Sequence, residues 1–232
     1  MSRTALIVGA GSGNSASFAR ALRAAGFKLV LAARNISKLE ALCNEIGATS
    51  ISCDASSAES VGELFEAMEQ AVGVADTVLY NASAYSAGAI TELDPAEVHN
   101  AFMQTAFGAF LVAQQAAIRM KKLGHGSIFF TGATASVKGF PGYAPFAMGK
   151  FALRGLAQSL ARELGPQNIH VAHFIIDGGI ASPGRDIQAV EQQYADDQLE
   201  PDAIAQTYMA VLNQHRSAWT HEIDLRPWVE SF

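Results

Sequence analysis

Two hydrophobic rhythms alternate along this chain. Short, largely apolar runs occupy residues 4–8, 28–33, 49–53, 76–80, 126–131 and 169–176. Runs of this length suit strands covered on both faces, where neither side meets water. Between them the apolar positions fall at helical spacing. Phe18, Leu22 and Ala25 mark a helix over 17–25, and Leu39, Leu42 and Ile46 one over 37–46. Further helices are predicted over 57–71, from 95 to about 121, over 146–164 and over 201–212, and a last strand over 222–226. Local punctuation agrees: Asp94-Pro95 is a good helix start, and Gly26 and Gly165-Pro166 are stops.

The first strand, turn, helix and second strand carry the most specific chemistry. The turn is Gly9-Ala10-Gly11-Ser12-Gly13-Asn14-Ser15. Glycines let the backbone turn tightly and approach a pyrophosphate, while the helix N-terminus offers unpaired N–H groups and the positive end of its dipole. In this strand–turn–helix–strand context the motif predicts a dinucleotide site, with Gly9, Gly11, Ser12, Gly13 and Asn14 as cofactor residues. The second strand ends Ala32-Ala33-Arg34. A carboxylate here would bind the ribose hydroxyls of NAD and repel a 2′-phosphate. Arg34 instead suits bidentate phosphate recognition, so NADP(H) is expected rather than NAD(H); the alternative is a solvated arginine.

Composition narrows the class further. With 50% hydrophobic and 16% charged residues, the chain can bury a sizeable core. Its 232 residues suit one large α/β domain or two small ones, and no Pro/Ser/Gly-rich linker divides them. A net charge of −6 disfavours a nucleic-acid surface. Cys43 and Cys53 read as reduced thiols, the first strand begins too early for a signal peptide, and no apolar run reaches membrane-span length. A cytoplasmic location is therefore expected. His170 and His173 sit three apart on a strand and point to opposite faces, so no metal site is expected.

The order of these features resembles the short-chain dehydrogenase/reductase family along the whole chain. The resemblance implies a single-domain α/β Rossmann fold over 1–232, a doubly wound parallel sheet of about seven strands flanked by helices. It implies hydride transfer to or from a small-molecule substrate. In the glycine motif Gly9 and Gly13 match, with Ser15 at the third glycine. Gly9, five residues, then Ser15 also resembles the motif of the family's enoyl-reducing branch. Asp54 stands where the family binds the adenine amino group; otherwise Asp54 or Ser56 caps the next helix. Asn81-Ala82 resembles the Asn-Asn-Ala-Gly turn beside the cofactor, Asn81 as a structural support. Asp177-Gly178 resembles the Pro-Gly turn under the nicotinamide, and Ile180 and Ser182 then contact the carboxamide. Segment 183–199 corresponds to a short substrate lid, and the helices 97–121 and 146–164 to those that pair subunits in a homodimer or homotetramer.

The departures gather at 142–150. In the family a tyrosine four residues before a lysine is the general acid–base. Here the lysine is Lys150 and that tyrosine's place is held by Phe146. The serine and asparagine roles project onto Ala133 and Thr105, with Thr131 and Thr134 nearby. Tyr143 stands seven residues before Lys150, the spacing of the enoyl-reductase branch. Two readings follow. One is an NADP(H)-dependent oxidoreductase reducing an enoyl or carbonyl substrate, with Lys150 and Tyr143 as its catalytic residues. The other is a pseudoenzyme that binds NADP(H) as a sensor or scaffold. A structural domain without cofactor would leave Gly9, Gly13, Arg34, Asp54 and Lys150 with no shared purpose.

Overall fold

The structure, a computed structural model, describes residues 3–181 and 197–230. Seven parallel strands form one sheet in the order β3-β2-β1-β4-β5-β6-β7. They are β1 (Thr4–Val8), β2 (Lys28–Ala33), β3 (Thr49–Ser52), β4 (Thr77–Tyr80), β5 (Gly126–Thr131), β6 (Ile169–Ile176) and β7 (Glu222–Leu225). The strand order reverses between β1 and β4, which opens a crevice beyond their carboxyl ends, the usual ligand site of such sheets. The central strands β1, β4 and β6 are buried along their whole length, as their largely apolar runs require, and β6 takes His170 and His173 into the interior with it.

Helices cover both faces. On one lie α1 (Asn14–Ala24), α2 (Glu40–Ile46) and α7 (Pro201–Leu212). Here Phe18, Leu22, Phe129, Phe174 and Tyr208 are packed into one apolar cluster. On the other lie α3 (Ala58–Ala71), α4 (Pro95–Phe102), α5 (Gly108–Leu123) and α6 (Ala144–Leu164), where Phe65, Tyr80, Met120, Phe130 and Leu153 form the second core. At about 25 cal/mol per Å² of apolar surface, each fully buried Phe or Leu contributes roughly 1.5–3 kcal/mol.

Several boundaries differ from the sequence expectation. Helix α1 begins at Asn14, three residues before Ser17, because the glycine turn itself supplies the cap position at Gly13. The 37–46 helix splits into a 3₁₀ turn, Ile36–Leu39, started by the Asn35 side chain, followed by α2. Neither Asp54 nor Ser56 caps α3: Ser57 does, accepting from the Ser60 N–H at 3.2 Å. The long 95–121 pattern is a continuous helix, Pro95–Leu123, of 29 residues, interrupted by a π turn at Met103–Phe107. It has the length and hydropathy of a membrane span, which the sequence reading did not expect. Half of its apolar window is buried in the domain, and Gly108 makes this possible, since a Cβ there would lie 2.5 Å from the Tyr80 hydroxyl.

Candidate active site

The crevice at the switch point is lined by Val8 to Ser12 from the glycine turn, Arg34, Asn35 and Lys38 after β2, Cys53 to Ala55 after β3, Asn81 to Ser83 after β4, and Gln104. Gly9 has φ +80°, and a Cβ there would fall 2.3 Å from the Ala82 nitrogen, so only glycine lets β1 and β4 meet at this point. At Gly11 a Cβ would enter open space, so its absence leaves room in the crevice rather than relieving a protein contact. Ser15, at the third glycine position, is buried and closes the loop: its hydroxyl accepts from the Gly11 N–H at 2.9 Å and lies 3.2 Å from the Gly11 carbonyl.

Asn81 ties the floor together. Its amide donates to the Gly9 carbonyl at 3.0 Å and accepts from Asn14 at 3.2 Å. Asn14 also bonds Tyr208, whose hydroxyl lies 3.0 Å from that of Thr131, and burial pushes the Tyr208 phenol up to about 12. Asn14 is thus buried and engaged with the protein, while Ser12 is exposed at the lip. Arg34 is exposed on the crevice wall with Lys38. Asp54 faces the same crevice, its carboxyl accepting from the Ser56 hydroxyl at 2.7 Å and the Ser56 N–H at 3.0 Å. These bonds, with the nearby Arg34 charge, hold it below the usual carboxylate range.

Residues fitting a dinucleotide are therefore brought together: a glycine turn with open space, a helix N-terminus, and a cationic far wall. Sequence reasoning did not single out Asn35, Lys38, Ser83 or Gln104. They belong to loops whose approach to the crevice no local pattern announces.

Lys150 lies farther along the same carboxyl edge of the sheet, at the end of β5. It is 3% exposed on α6, and its ammonium donates to the Thr131 carbonyl at 2.8 Å. Burial lowers its pKa to about 8, since no carboxylate stands against it among its described bonds. Phe146, one turn earlier, places its ring centroid 5.8 Å from Nζ, within cation–π range. Tyr143 occupies the cap position of α6 and is exposed. Its ring packs 5.7 Å from that of Tyr85, which lies 5.5 Å from Phe146. The Tyr85 phenol is held above its ordinary value, first by its hydrogen bond to Tyr143 and then by burial. Tyr85, from the loop after β4, joins the site without any sequence signal beyond its residue type.

The threonines near the lost serine and asparagine positions are committed elsewhere. Thr105 sits in the π turn against Gly149 and accepts from the Ala84 N–H at 3.2 Å. Thr131 bonds Tyr208, and Thr134 donates to Asp177 at 2.5 Å. Ala133 offers no side-chain donor, and its N–H donates to Ser136 at 3.1 Å. Asp177, where the resembled turn has proline, is buried and lies 3.2 Å from Arg226. Ile180 pairs with Leu199 in an isolated bridge. Ser182, and the lid segment up to residue 196, lie outside the described residues.

This sheet order, the glycine turn and a lysine on α6 facing the end of β5 define a Rossmann-type dinucleotide-binding protein. The short chain dehydrogenase family matches over residues 3–188, and the chain belongs to that family of oxidoreductases. It is 28% identical to an uncharacterized oxidoreductase of Staphylococcus aureus (strain USA300), over 97% of both chains. Among solved structures, a short-chain dehydrogenase from Rhodopseudomonas palustris is 34% identical, with a TM-score of 0.83, over 97% of this chain and 99% of that one. An alcohol dehydrogenase from the archaeon Thermococcus sibiricus, complexed with 5-hydroxy-NADP, is 25% identical, with a TM-score of 0.86, over 99% and 98%.

Proposed function

We propose that this protein is an NADP(H)-dependent reductase of a small enoyl or carbonyl substrate, with Tyr143 as the polar donor and Lys150 as the cation of the site. When bound, the nicotinamide supplies the hydride; the chain's own residues bind, orient and handle the proton. The observation that carries the reading is Lys150 itself: a buried ammonium with a single described protein acceptor is costly unless a ligand uses it. Its placement at the carboxyl end of β5, on the sheet edge where the crevice opens, suits a contact to the nicotinamide ribose. Arg34 and Lys38 would face a 2′-phosphate at the opposite end, and the NADP-type ligand of the Thermococcus sibiricus relative supports that choice.

Tyr143 is favoured as donor because it brings a phenol to this aromatic cluster, its ring 5.7 Å from that of Tyr85, which in turn packs 5.5 Å from Phe146, whereas Phe146 can neither give nor take a proton. Against an enoyl thioester with NADPH, Tyr143→Phe is expected to lose about 10²-fold in kcat while leaving NADPH affinity unchanged. Undiminished turnover in that variant would remove Tyr143 from the role. A second reading is favoured by the alanine and the engaged threonines: a pseudoenzyme that binds NADP(H) without turnover. Tight NADPH binding with no reduction of enoyl or carbonyl probes would select it. Exposed Phe102, Phe107 and Phe110 on the α4–α5 helix and Phe151 on α6 support pairing of subunits there. Sedimentation of the wild-type protein tests that pairing.

A further inference from the structure

Tyr85 stands out from the loop after β4 with 68% of its surface exposed. The loop that carries it is nevertheless fastened on both sides of the tyrosine. Before it, the Ala84 N–H donates to the Thr105 hydroxyl at 3.2 Å. Thr105 in turn packs against Gly149, where a Cβ would fall 3.0 Å from the threonine Cβ, and Gly149 directly precedes Lys150. After it, the Gly88 N–H donates to the Gly142 carbonyl at 2.8 Å, just ahead of α6. Gly142 takes φ +80°, a conformation that favours glycine. The loop is thus held by contacts that do not involve the Tyr85 ring, which leaves the ring free to meet something else.

That ring sits in a row of others. Its centroid lies 5.7 Å from that of Tyr143, with the planes tilted by 59°, and 5.5 Å from that of Phe146, with a tilt of 56°. Both separations fall in the range where aromatic pairs attract. Phe146 continues the row inward, its centroid 5.8 Å from the Lys150 ammonium. Two steps, 5.5 and 5.8 Å, therefore lead from the exposed ring to the buried cation. Tyr143 is 37% exposed and Phe146 is half-buried, so the row has a charge at its inner end and uncovered aromatic surface at its outer end. Apolar walls converging on a few polar groups are the usual make-up of a small-molecule site.

We propose that Tyr85, Tyr143 and Phe146 form the specificity wall of this site and select substrates whose carbonyl or enoyl group carries an aromatic ring on a short arm. The polar group lies toward Lys150, and the substrate's ring extends the row beside Tyr85. Aromatic rings have a negative face and a positive edge, so a planar ring gains from tilted neighbours what a saturated ring of the same size cannot. The tethered loop adds to the selection, because a wall already in place loses little freedom when a ligand settles on it. This inference rests on the reading of the Lys150 end as the substrate site, and it requires binding there, not turnover.

Binding is therefore measured apart from reduction. Two ketones with the same reacting group and arm, 4-phenyl-2-butanone and 4-cyclohexyl-2-butanone, are titrated by ligand-observed NMR into the protein with NADP+, which has no hydride to give, and into the protein alone. The phenyl ketone is expected to bind about 3–10-fold more tightly. Tyr85→Leu is expected to abolish that preference, and Tyr85→Phe, which keeps the ring, to retain it. Equal affinities in the wild-type protein, binding of neither ketone, or a preference that survives Tyr85→Leu overturns the proposal. So does a Tyr85→Leu protein whose sedimentation changes while its ketone affinities do not, since the ring then belongs to a contact with a second copy of the chain. NADPH oxidation with each ketone is read separately: its absence counts against the reductase reading and leaves a Tyr85-dependent phenyl preference standing.

Discussion

Phe146 and Lys150 stand one helical turn apart, and the ammonium faces a ring that carries no hydroxyl. The cation is thus retained where its usual acid partner is absent. If the rest of the pocket still fits a carbonyl substrate, Phe146→Tyr restores a phenol within the field of the lysine. Reduction of a simple ketone or β-keto thioester is then expected to rise about 10–100-fold, measured by NADPH consumption. The gain falls short of the 10²–10⁴-fold that a positioned acid supplies, because Ala133 leaves the carbonyl oxygen without its side-chain donor. No gain in a folded, NADPH-binding variant would show that the pocket has closed to carbonyl substrates. At the same scale, Arg34→Ala is expected to weaken NADPH binding about 10–100-fold and NADH binding little, which titration of cofactor fluorescence can separate.

Elements explain which residues are readable from sequence. The places of the glycine turn, Arg34 and Lys150 are legible because each is set by its own few neighbours: a turn needing no Cβ, a strand end, a helix face. Gly9 is the sharpest case. Its positive φ and its approach to Ala82 both exclude a side chain, so Gly9→Ala is expected to cost about 2–4 kcal/mol and to lower the melting temperature by several degrees. Groups engaged through tertiary contact are not legible. Nothing local indicates that Thr134 is spent on Asp177, that Tyr85 reaches Tyr143 from another loop, or that Asn14 turns inward to Tyr208. Nor does helical periodicity reveal the π turn at Met103–Phe107, because the apolar pattern continues through it while the Tyr80 hydroxyl bonds the Gln104 carbonyl inside it.

At the scale of the molecule, the last strand is wired into the site from beneath. Glu222 reaches His173, and Arg226 reaches Asp177 and through it Thr134, so β7 holds the ends of both β5 and β6. This wiring makes stability depend on acid in a definable window. Burial depresses the His173 pKa to about 4, against an ordinary value of 6.5. Between those values the unfolded chain binds a proton that the native state refuses, so stability falls as pH drops from about 6.5 toward 4. Glu222 is lowered chiefly by its bonds to Arg154, so its contribution is present above the ordinary carboxylate range and is lost as pH falls through its own depressed value. The two losses follow one another on acidification. The histidine share is worth about 2–3 kcal/mol, or roughly 4–12 °C in melting temperature for a chain of this size. Melting curves between pH 7 and pH 4.5 are expected to show that decline, and His173→Phe, though less stable at neutral pH, is expected to lose most of it, the remainder coming from His170, which burial also holds below its ordinary value. A wild-type melting temperature that stays flat down to pH 5 would mean that His173 accepts its proton in the folded protein, with Glu222 outweighing burial.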